Sequence, residues 1–350
     1  MQRPSMQRPV MDPMFVDKHH KGGGHGLAVF KLLFLSIKWF WRLLASNPFR
    51  VRKPQFDVPV SPGRLLVRVA ASWLVFLPFV LAGTALVLVY AATHPKAPAA
   101  LTDPNSQGVF FDPVEFVSAD GTKLTGWLIP EINAKRVLDD KERSLRLRHP
   151  AVVLVHDFGQ SPQQMLPLLL PLHEEGVVQL AVALRGQGGE HPSAQTFGLK
   201  EWQDVKAAVQ VLQAEPFVDP TRVAVIGVGS GANAALLAAA HDSSIRAIVL
   251  ADPFKNCDDA IARKVAPKQP WLRWMRPLCK WTFELTYHVD GDDITLDQYA
   301  QLISNKPSLV FNDGEQRIRF LDPSTVEQVR TFCRKQLHTG EGPMVSLSGN

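Results

Sequence analysis

The feature of this 350-residue chain that most constrains its folding is an uncharged run, AASWLVFLPFVLAGTALVLVYAA, from Ala70 to Ala92. A helix rises about 1.5 Å per residue, so this run would be roughly 34 Å long and could cross the hydrocarbon layer of a bilayer. Pro78 would kink a soluble helix but is tolerated in a membrane helix. The 69 residues ahead of the run favour an uncleaved signal anchor over a cleavable signal peptide. We therefore predict a transmembrane helix over 70–92.

The charges on either side of this run predict its orientation. Residues 1–69 carry 12 Lys and Arg against 3 Asp and Glu, whereas the other 281 residues carry 26 against 30. Five basic residues lie shortly before the run (Arg50, Arg52, Lys53, Arg64 and Arg68), and only Lys96 follows closely. The positive-inside tendency predicts a cytoplasmic N-terminus and a globular domain on the outer, periplasmic or extracellular, side. The predicted transmembrane helix makes the bilayer an expected partner. Because the body has no basic stripe and no nucleic-acid motif, we expect no nucleic-acid partner.

A second apolar stretch, 27–46, contains Lys31, Lys38 and Arg42, which fall on one narrow helical face. This pattern predicts an amphipathic helix in the cytoplasmic interface. The alternative is a second membrane span, which would keep the domain in the cytoplasm. Residues 1–26, with a repeated MQRP and a glycine run, are predicted to be a disordered basic tail. Residues 93–108 are predicted to be a Pro- and Ala-rich linker.

From Val109 the pattern alternates between strands and helices, which favours a mostly parallel sheet covered on both faces. The segment 114–130 predicts a hairpin with its tight turn at Asp120-Gly121. Further strands are predicted at 151–156, 177–184, 223–227, 245–252, 307–313 and 344–347. Helices are predicted at 162–175, at 199–214, after Gly229 and at 324–337. We expect one domain over 109–350.

Four motifs in order carry a resemblance to a known family. His156-Asp157-Phe158-Gly159 follows the first buried strand, and Arg185-Gly186-Gln187-Gly188 follows the next. VDPTRVAVIGVGSGANAAL (218–236) then leads from a strand into a helix, and the DG hairpin precedes them all. With these motifs, 110–350 resembles the α/β-hydrolase superfamily in its esterase- and peptidase-like serine hydrolase branch. The resemblance implies an α/β-hydrolase fold, an oxyanion loop at His156, Asp157 and Phe158, and a helical cap inserted at about 253–300.

The resemblance also implies where the nucleophile should be. In the family a Gly-x-Ser-x-Gly turn between strand and helix raises the serine hydroxyl above the sheet. Here the turn contains Gly227, Gly229, Ser230 and Gly231, so the nucleophile position falls on Gly229. Ser230 would be the following residue, whose backbone N–H serves the oxyanion hole. Capping of the helix is the simpler role for its hydroxyl.

The other members of the triad also depart from the family pattern. The acid position aligns with Gln316, and Asp313 and Glu315 lie out of register. The strand that matches the family's last one, 344–348, is followed by only two residues, so we expect no histidine there. His338 lies before that strand, where contact with a helix C-terminus is the simpler role. If the chain is active, a displaced triad of Ser230, Asp313 or Asp252, and His338 would have to act.

Other chemistry is weakly represented. Asp157 replaces a glycine of the oxyanion loop, where its charge would oppose a developing oxyanion. Cys257, Cys279 and Cys333 form no C-x-x-C pair, and buried thiols are favoured over a bridge between the first two. Asp290, Asp292 and Asp293 suit a solvated loop as well as a cation site, and we predict no metal and no cofactor.

The predicted cap mixes Trp271, Trp274 and Trp281 with basic residues. Inward packing of the tryptophans is favoured, and contact with a membrane or a partner is the alternative. Two hypotheses for function follow. The first is a membrane-anchored, catalytically inactive relative, a pseudoenzyme, that binds a protein or a small-molecule ligand in the cap-covered pocket. The second is an active serine hydrolase that uses Ser230.

Overall fold

The computed structural model of the chain describes residues 62–95, 102–131, 147–186, 193–265, 270–293, 304–311 and 322–338. The predicted tail (1–26), interfacial helix (27–46), acid loop (312–316) and last strand (344–347) lie outside these residues. Two compact units divide the chain, Met1–Ala71 and Ser72–Asn350. The second unit contains the sheet, the cap and the greater part of the first helix.

The first helix, α1, is Pro62–Thr93, so it begins earlier than the predicted Ala70. Proline suits the first turn of a helix because its missing N–H would have no partner there. Among the residues that the structure describes, the part of α1 from Ser72 to Thr93 is the one helix long and apolar enough to cross a membrane. Ala85, Val89 and Thr93 near its end are buried, and the other described side chains of this segment are partly or fully exposed.

A seven-stranded sheet forms the centre of the domain, in the order β1-β2-β4-β3-β5-β6-β7. The strands are β1 Asp112–Val117, β2 Lys123–Ile129, β3 His149–Val155, β4 Val178–Ala183, β5 Val218–Val228, β6 Ile245–Ala251 and β7 Ser308–Phe311. β1 and β2 pair antiparallel as predicted, β2 pairs antiparallel with β4, and the other strands are parallel. The carboxyl ends of β3, β5 and β6 therefore meet at one edge, where ligands bind in open sheets of this kind.

Helices cover both faces of this sheet because its parallel strands are apolar on both sides. On one face lie α3, Glu201–Ala214, and α4, Ser230–His241. Their buried residues share a core cluster with Val153, Val225 and Ile248. On the other face lie α2, Leu166–Glu174, and α7, Pro323–His338, which pack against Val152, Ile226 and Val249. The predicted helix at 162–175 begins as a 3₁₀ turn, Pro162–Met165, ahead of α2.

The predicted linker is more ordered at its end than expected. Pro104–Gln107 form a 3₁₀ turn in which the Asp103 carboxylate accepts from the Ser106 N–H, and Gly108 closes the turn at φ 73°. Val109 is then buried against the core. The turn forms because aspartate caps free N–H groups and glycine adopts a left-handed backbone without strain.

The predicted cap consists of short helices. α5, Cys257–Ala260, continues as a π-helix, Ile261–Val265, and a 3₁₀ segment, Pro270–Met275, leads into α6, Arg276–Tyr287. The favoured inward packing of the tryptophans is wrong for two of them, because Trp274 and Trp281 are 57% and 59% exposed. The inner face of α6 is instead occupied by Cys279, Thr282 and Phe283. The three cysteines are buried and unbridged, as favoured from the sequence.

Candidate functional site

The site lies where β5 turns sharply into α4. Val228 ends the strand, Ser230 begins the helix, and Gly229 between them has φ 56° and ψ −118°. This backbone conformation strains any residue with a Cβ. Gly229 N–H donates to the Ala251 carbonyl at 2.8 Å, which fixes the turn beside the end of β6. The turn residue is therefore Gly229, in the register predicted from the sequence.

The flanking glycines allow the close packing of this turn. A Cβ on Gly227 would overlap the Gly231 carbonyl, and a Cβ on Gly231 would overlap the His156 carbonyl. Both positions thus require glycine for contact between main chains. The oxyanion loop after β3 consequently lies directly against the beginning of α4.

The carboxylate of Asp157 occupies the space beside Gly229. A Cβ added to Gly229 would overlap Oδ1 of Asp157, so this oxygen lies where the side chain of a serine nucleophile would begin. Oδ1 accepts from the Ser230 N–H at 2.9 Å and from the Phe158 N–H at 2.6 Å. These are the residue after the nucleophile position and a residue of the β3 loop, the two sources of the oxyanion hole in this fold. A side chain of the protein itself therefore lies where the family resemblance would put the oxyanion hole.

Two basic residues of the π-helix bind carboxylates at the ends of the strands. Lys264 Nζ lies 3.3 Å from Oδ2 of Asp157, and Arg263 lies 3.2 Å from the carboxylate of Asp252, which follows β6. The Lys264 ammonium also lies 5.6 Å from the centre of the Phe158 ring, within the range of a cation–π contact. These contacts attach the cap to the sheet edge and offset the charge at the Gly229 turn.

The buried His156 ring connects the loop after β3 to the end of β4. Its Nδ1 is 2.8 Å from the Asp157 carbonyl oxygen, and its Nε2 accepts from the Leu184 N–H at 3.1 Å. The second bond requires an unprotonated Nε2, so Nδ1 carries the proton and donates to the carbonyl. Burial lowers the pKa of His156 to about 4. The ring is thus a neutral group whose hydrogen bonds join the loop after β3 to the end of β4.

The Arg-Gly motif after β4 also has a structural role. Arg185 is buried, and its guanidinium binds both carboxylate oxygens of Asp204, at 2.6 and 2.9 Å. A third bond, 2.7 Å long, joins Arg185 to Asp120 in the hairpin turn. Gly186 turns the chain at φ 78°, and a Cβ there would overlap the Ser193 carbonyl. The motif therefore ties α3 and the hairpin to the edge of the sheet that carries the site.

The chain's own apolar side chains pack together beneath the cap. Phe197 is fully buried and lies 5.0 Å from the Phe158 ring, 5.4 Å from that of Phe283 and 6.0 Å from that of Phe254. The end of α1 contributes two buried residues, Ala85 and Val89, to the same cluster. In the family resemblance this is the region between cap and sheet edge where a substrate would bind.

Two residues of the displaced triad, Ser230 and His338, are not brought together. Ser230 is buried, and within the described part of the chain its hydroxyl makes no hydrogen bond, so the predicted capping role is not seen. Gln336, near the end of α7, accepts from Arg246 at the amino end of β6, whereas the Gly229 turn lies at the carboxyl end. At about 3.3 Å per residue these ends are about 17 Å apart, far beyond the roughly 3 Å that proton transfer requires. His338 is therefore remote from Ser230, and Asp313 lies outside the described residues.

Sequence reasoning missed the position of the Asp157 side chain and the contributions of Lys264 and Arg263. One signal was present, because the oxyanion loop gains a carboxylate where the family has glycine and the turn loses a side chain. The volume of the Asp157 carboxylate takes the place of the volume of the side chain that is missing at position 229. The two cap residues carried no such signal, since 107 residues separate Lys264 from Asp157.

Part of this chain is similar to known proteins. A polyketide transferase, ATR5, of Stachybotrys chlorohalonatus is 31% identical over 144 residues, 40% of this chain and 43% of that protein. The uncharacterized protein YfhR of Salmonella typhi is 27% identical over 170 residues, 45% of this chain and 54% of its own. The chain thus spans about half the length of such curated relatives.

Solved structures and a family model complete the comparison. The Pyrococcus furiosus esterase Pf2001 superposes with a TM-score of 0.51 at 20% identity, over 70% of this chain and 99% of that one. At this identity the likeness shows the fold alone. The model of the alpha/beta hydrolase family matches residues 152–334, a little over half of the chain. The chain therefore belongs to the alpha/beta hydrolase family.

Proposed function

We propose that this chain is a membrane-anchored member of the family that has lost serine-hydrolase chemistry and acts by binding. One observation carries the proposal: at the nucleophile turn Gly229 has no side chain, and the Asp157 carboxylate occupies the space beside it. The same carboxylate holds both N–H donors of the oxyanion hole. Acyl transfer by a serine hydrolase needs both a nucleophilic side chain and a free oxyanion hole.

The two losses differ in magnitude. Removing the nucleophile of a serine hydrolase costs about 10⁶ in rate. Vacating the oxyanion hole would break two charge-assisted hydrogen bonds, each contributing about 1.5–3 kcal/mol. A substrate oxygen would therefore have to displace a bound carboxylate before any reaction. The missing hydroxyl dominates, and the occupied hole adds a second barrier.

The geometry of Ser230 weighs against the alternative of an active hydrolase. Ser230 is the first residue of α4, is 3% exposed, and provides the hole with its N–H. A general base must lie within about 3.2 Å of the hydroxyl that it deprotonates. The hydrogen bonds of the described residues place no imidazole at this distance from Ser230, and His338 lies near the opposite edge of the sheet.

The anchor in this proposal is the α1 segment Ser72–Thr93. Its 22 residues rise about 33 Å, which matches the hydrocarbon thickness of a bilayer. Trp73 and Tyr90, near its two ends, are about half exposed and suit the two membrane interfaces. The basic residues ahead of α1 favour a cytoplasmic N-terminus, with the domain on the outer side.

The binding role follows from what occupies the region beneath the cap. Phe158, Phe197, Phe254 and Phe283 pack together there with the end of α1. This packing favours recognition by the outer surface of the domain, of a protein or of lipid, over a small molecule held beneath the cap.

Fluorophosphonate labelling of the full chain in mild detergent tests the loss of catalysis. We expect no covalent adduct on the wild-type protein or on Ser230→Ala, while an active serine hydrolase added to the same sample is labelled. An adduct on wild type that Ser230→Ala abolishes would overturn the proposal. Alkaline carbonate extraction tests the anchor, because a membrane-spanning chain stays in the pellet and a soluble one is released.

A further inference from the structure

The end of α1 is part of the core of the domain. Ala85 and Val89 are completely buried in the cluster that contains Phe283 of α6. Thr93 Oγ1 lies 2.5 Å from the hydroxyl of Tyr287, the last residue of α6. The Thr93 carbonyl also accepts from the Gln195 N–H at 2.8 Å. The last turns of the apolar helix and the cap therefore pack as one unit.

This packing sets the depth of the cap in a membrane. From Ala85 to Thr93 the helix rises about 12 Å, while Ser72–Thr93 as a whole rises about 33 Å. A segment of that length fills the hydrocarbon layer from one side to the other. If α1 spans the bilayer as proposed, the part of the cap that contacts Ala85–Thr93 would lie within about 12 Å of the outer boundary of the hydrocarbon layer.

The outer face of α6 is apolar at this level. Trp281 and Leu285 are each 59% exposed and lie four residues apart on one face of α6. Trp274, in the 3₁₀ segment ahead of α6, is 57% exposed. Leu285 and Trp281 precede Tyr287 by about 3 and 9 Å along the helix axis. On α1, Leu86 and Tyr90 are exposed by 48% and 50% near the same end. We call Trp274, Trp281 and Leu285 the cap stripe.

Trp, Tyr and basic residues are the side chains that membrane interfaces favour. Arg273 is exposed next to Trp274 at the beginning of the cap stripe. An amphipathic helix with tryptophan on its apolar face typically lies in the plane of the interface, with that face in the acyl boundary. α6 differs from such a helix in one respect: its opposite face, with Cys279 and Phe283, is buried in the domain, so only the exposed face is available to lipid.

We propose that the cap stripe is a second membrane contact, which inserts into the outer interface of the bilayer that α1 crosses. Its occupant is lipid. The inference rests on the proposed anchoring by α1. It goes beyond that anchoring because the contact of the cap stripe with lipid, which we call the wedge, would fix the orientation of the domain on the membrane. The sheet edge and the Gly229 turn would then face the bilayer, beneath the cap.

Depth measurement by spin labelling tests this proposal with the full chain in lipid nanodiscs. Nitroxide is attached to Trp281→Cys and to Leu285→Cys, and the three native cysteines are buried and thus protected. Leu147→Cys is the matched control, because Leu147 is an exposed leucine, 40% accessible, just ahead of β3 at the opposite end of the sheet. Accessibility to oxygen, which concentrates in lipid, is compared with accessibility to a water-soluble nickel complex.

We expect the ratio of oxygen to nickel accessibility to be higher at 281 and 285 than at 147. Ratios at 281 and 285 equal to that at 147 would overturn the wedge. Labels inaccessible to both reagents would also overturn it, because a protein surface or a second copy would then cover the cap stripe. Carbonate extraction of the same variants separates the two proposals. If the protein stays in the pellet while its labels are accessible to the nickel complex, the membrane contact of the cap stripe is refuted and the anchor is not. If the protein is released into the supernatant, the anchor is refuted.

Discussion

Replacing Asp157 with asparagine measures how strongly the backbone N–H groups of Phe158 and Ser230 bind the Asp157 carboxylate. The amide keeps the shape of the side chain and one acceptor oxygen but removes the charge. Oδ1 of Asp157 accepts from two backbone N–H groups, at 2.9 and 2.6 Å. Hydrogen bonds to a charged group contribute about 1.5–3 kcal/mol and neutral ones about 0.5–1.5, so the change costs about 1 kcal/mol for each bond.

Two further interactions of the charge are smaller. The Lys264 ion pair, at 3.3 Å, contributes at most about 1 kcal/mol because both side chains are partly exposed, by 29% and 22%. The carboxylate also lies at the N-terminus of α4, where a negative charge adds about 0.3–1 kcal/mol. We therefore expect Asp157→Asn to lower the free energy of unfolding by about 2–4 kcal/mol.

Asp252→Asn is the matched control. Asp252 also follows a central strand, is similarly exposed at 24%, and pairs with the neighbouring π-helix residue Arg263 at 3.2 Å. Among the described residues its carboxylate has no backbone N–H partner, so we expect a loss below about 1 kcal/mol. Asparagine tolerates the positive φ of 51° at this position.

Guanidinium unfolding of the full chain in nonionic detergent, followed by tryptophan fluorescence, compares the two variants. If Asp157→Asn lowers the free energy of unfolding by about 2 kcal/mol more than Asp252→Asn does, the result supports an Asp157 carboxylate bound by the two backbone N–H groups. Equal losses for the two variants would refute the reasoning, because Asp157 would then behave as an ordinary surface ion pair.

Three other predictions use the same unfolding assay. Gly229→Ala should destabilise the domain because its Cβ overlaps Oδ1 of Asp157, and Asp157→Gly in the same chain should relieve part of that loss; strictly additive effects would contradict the overlap. Burial lowers the pKa of His156 to about 4 in the folded chain, whereas in the unfolded chain it is about 6.5. Between these pH values the unfolded chain binds a proton on His156 and the folded chain does not. Stability should then fall between pH 6.5 and 4 by about 3 kcal/mol from this group, and His156→Gln should flatten that slope; an unchanged slope would refute the assignment. Asp204→Asn leaves the buried Arg185 guanidinium with a neutral partner in place of its bidentate carboxylate and should cost about 3–5 kcal/mol; a loss below 1 kcal/mol would be inconsistent with a buried ion pair.

The sequence alone determined the fold and the register of the site because both depend on local patterns. Buried strands are short apolar runs, and Gly227, Gly229 and Gly231 mark a turn at which main chains touch. The motif order then predicts the sheet, since consecutive strands and helices in such folds follow restricted connections. The 23-residue apolar run predicted α1 for the same reason, from length and composition within a single segment.

Only the tertiary structure decided what occupies the site. The sequence flagged Asp157 as an unfavourable charge near the hole, but the contact of its carboxylate with the Ser230 N–H joins residues 73 positions apart. The orientation of Trp281 was likewise undetermined, because helical spacing reveals an amphipathic face without showing which neighbour covers it. Phe283 faces the core because the end of α1 packs there, and that packing leaves the tryptophan outside. The position of the Asp157 carboxylate and the exposure of Trp281 depend on contacts between segments that are distant in the sequence, and a local pattern of residues does not predict such contacts.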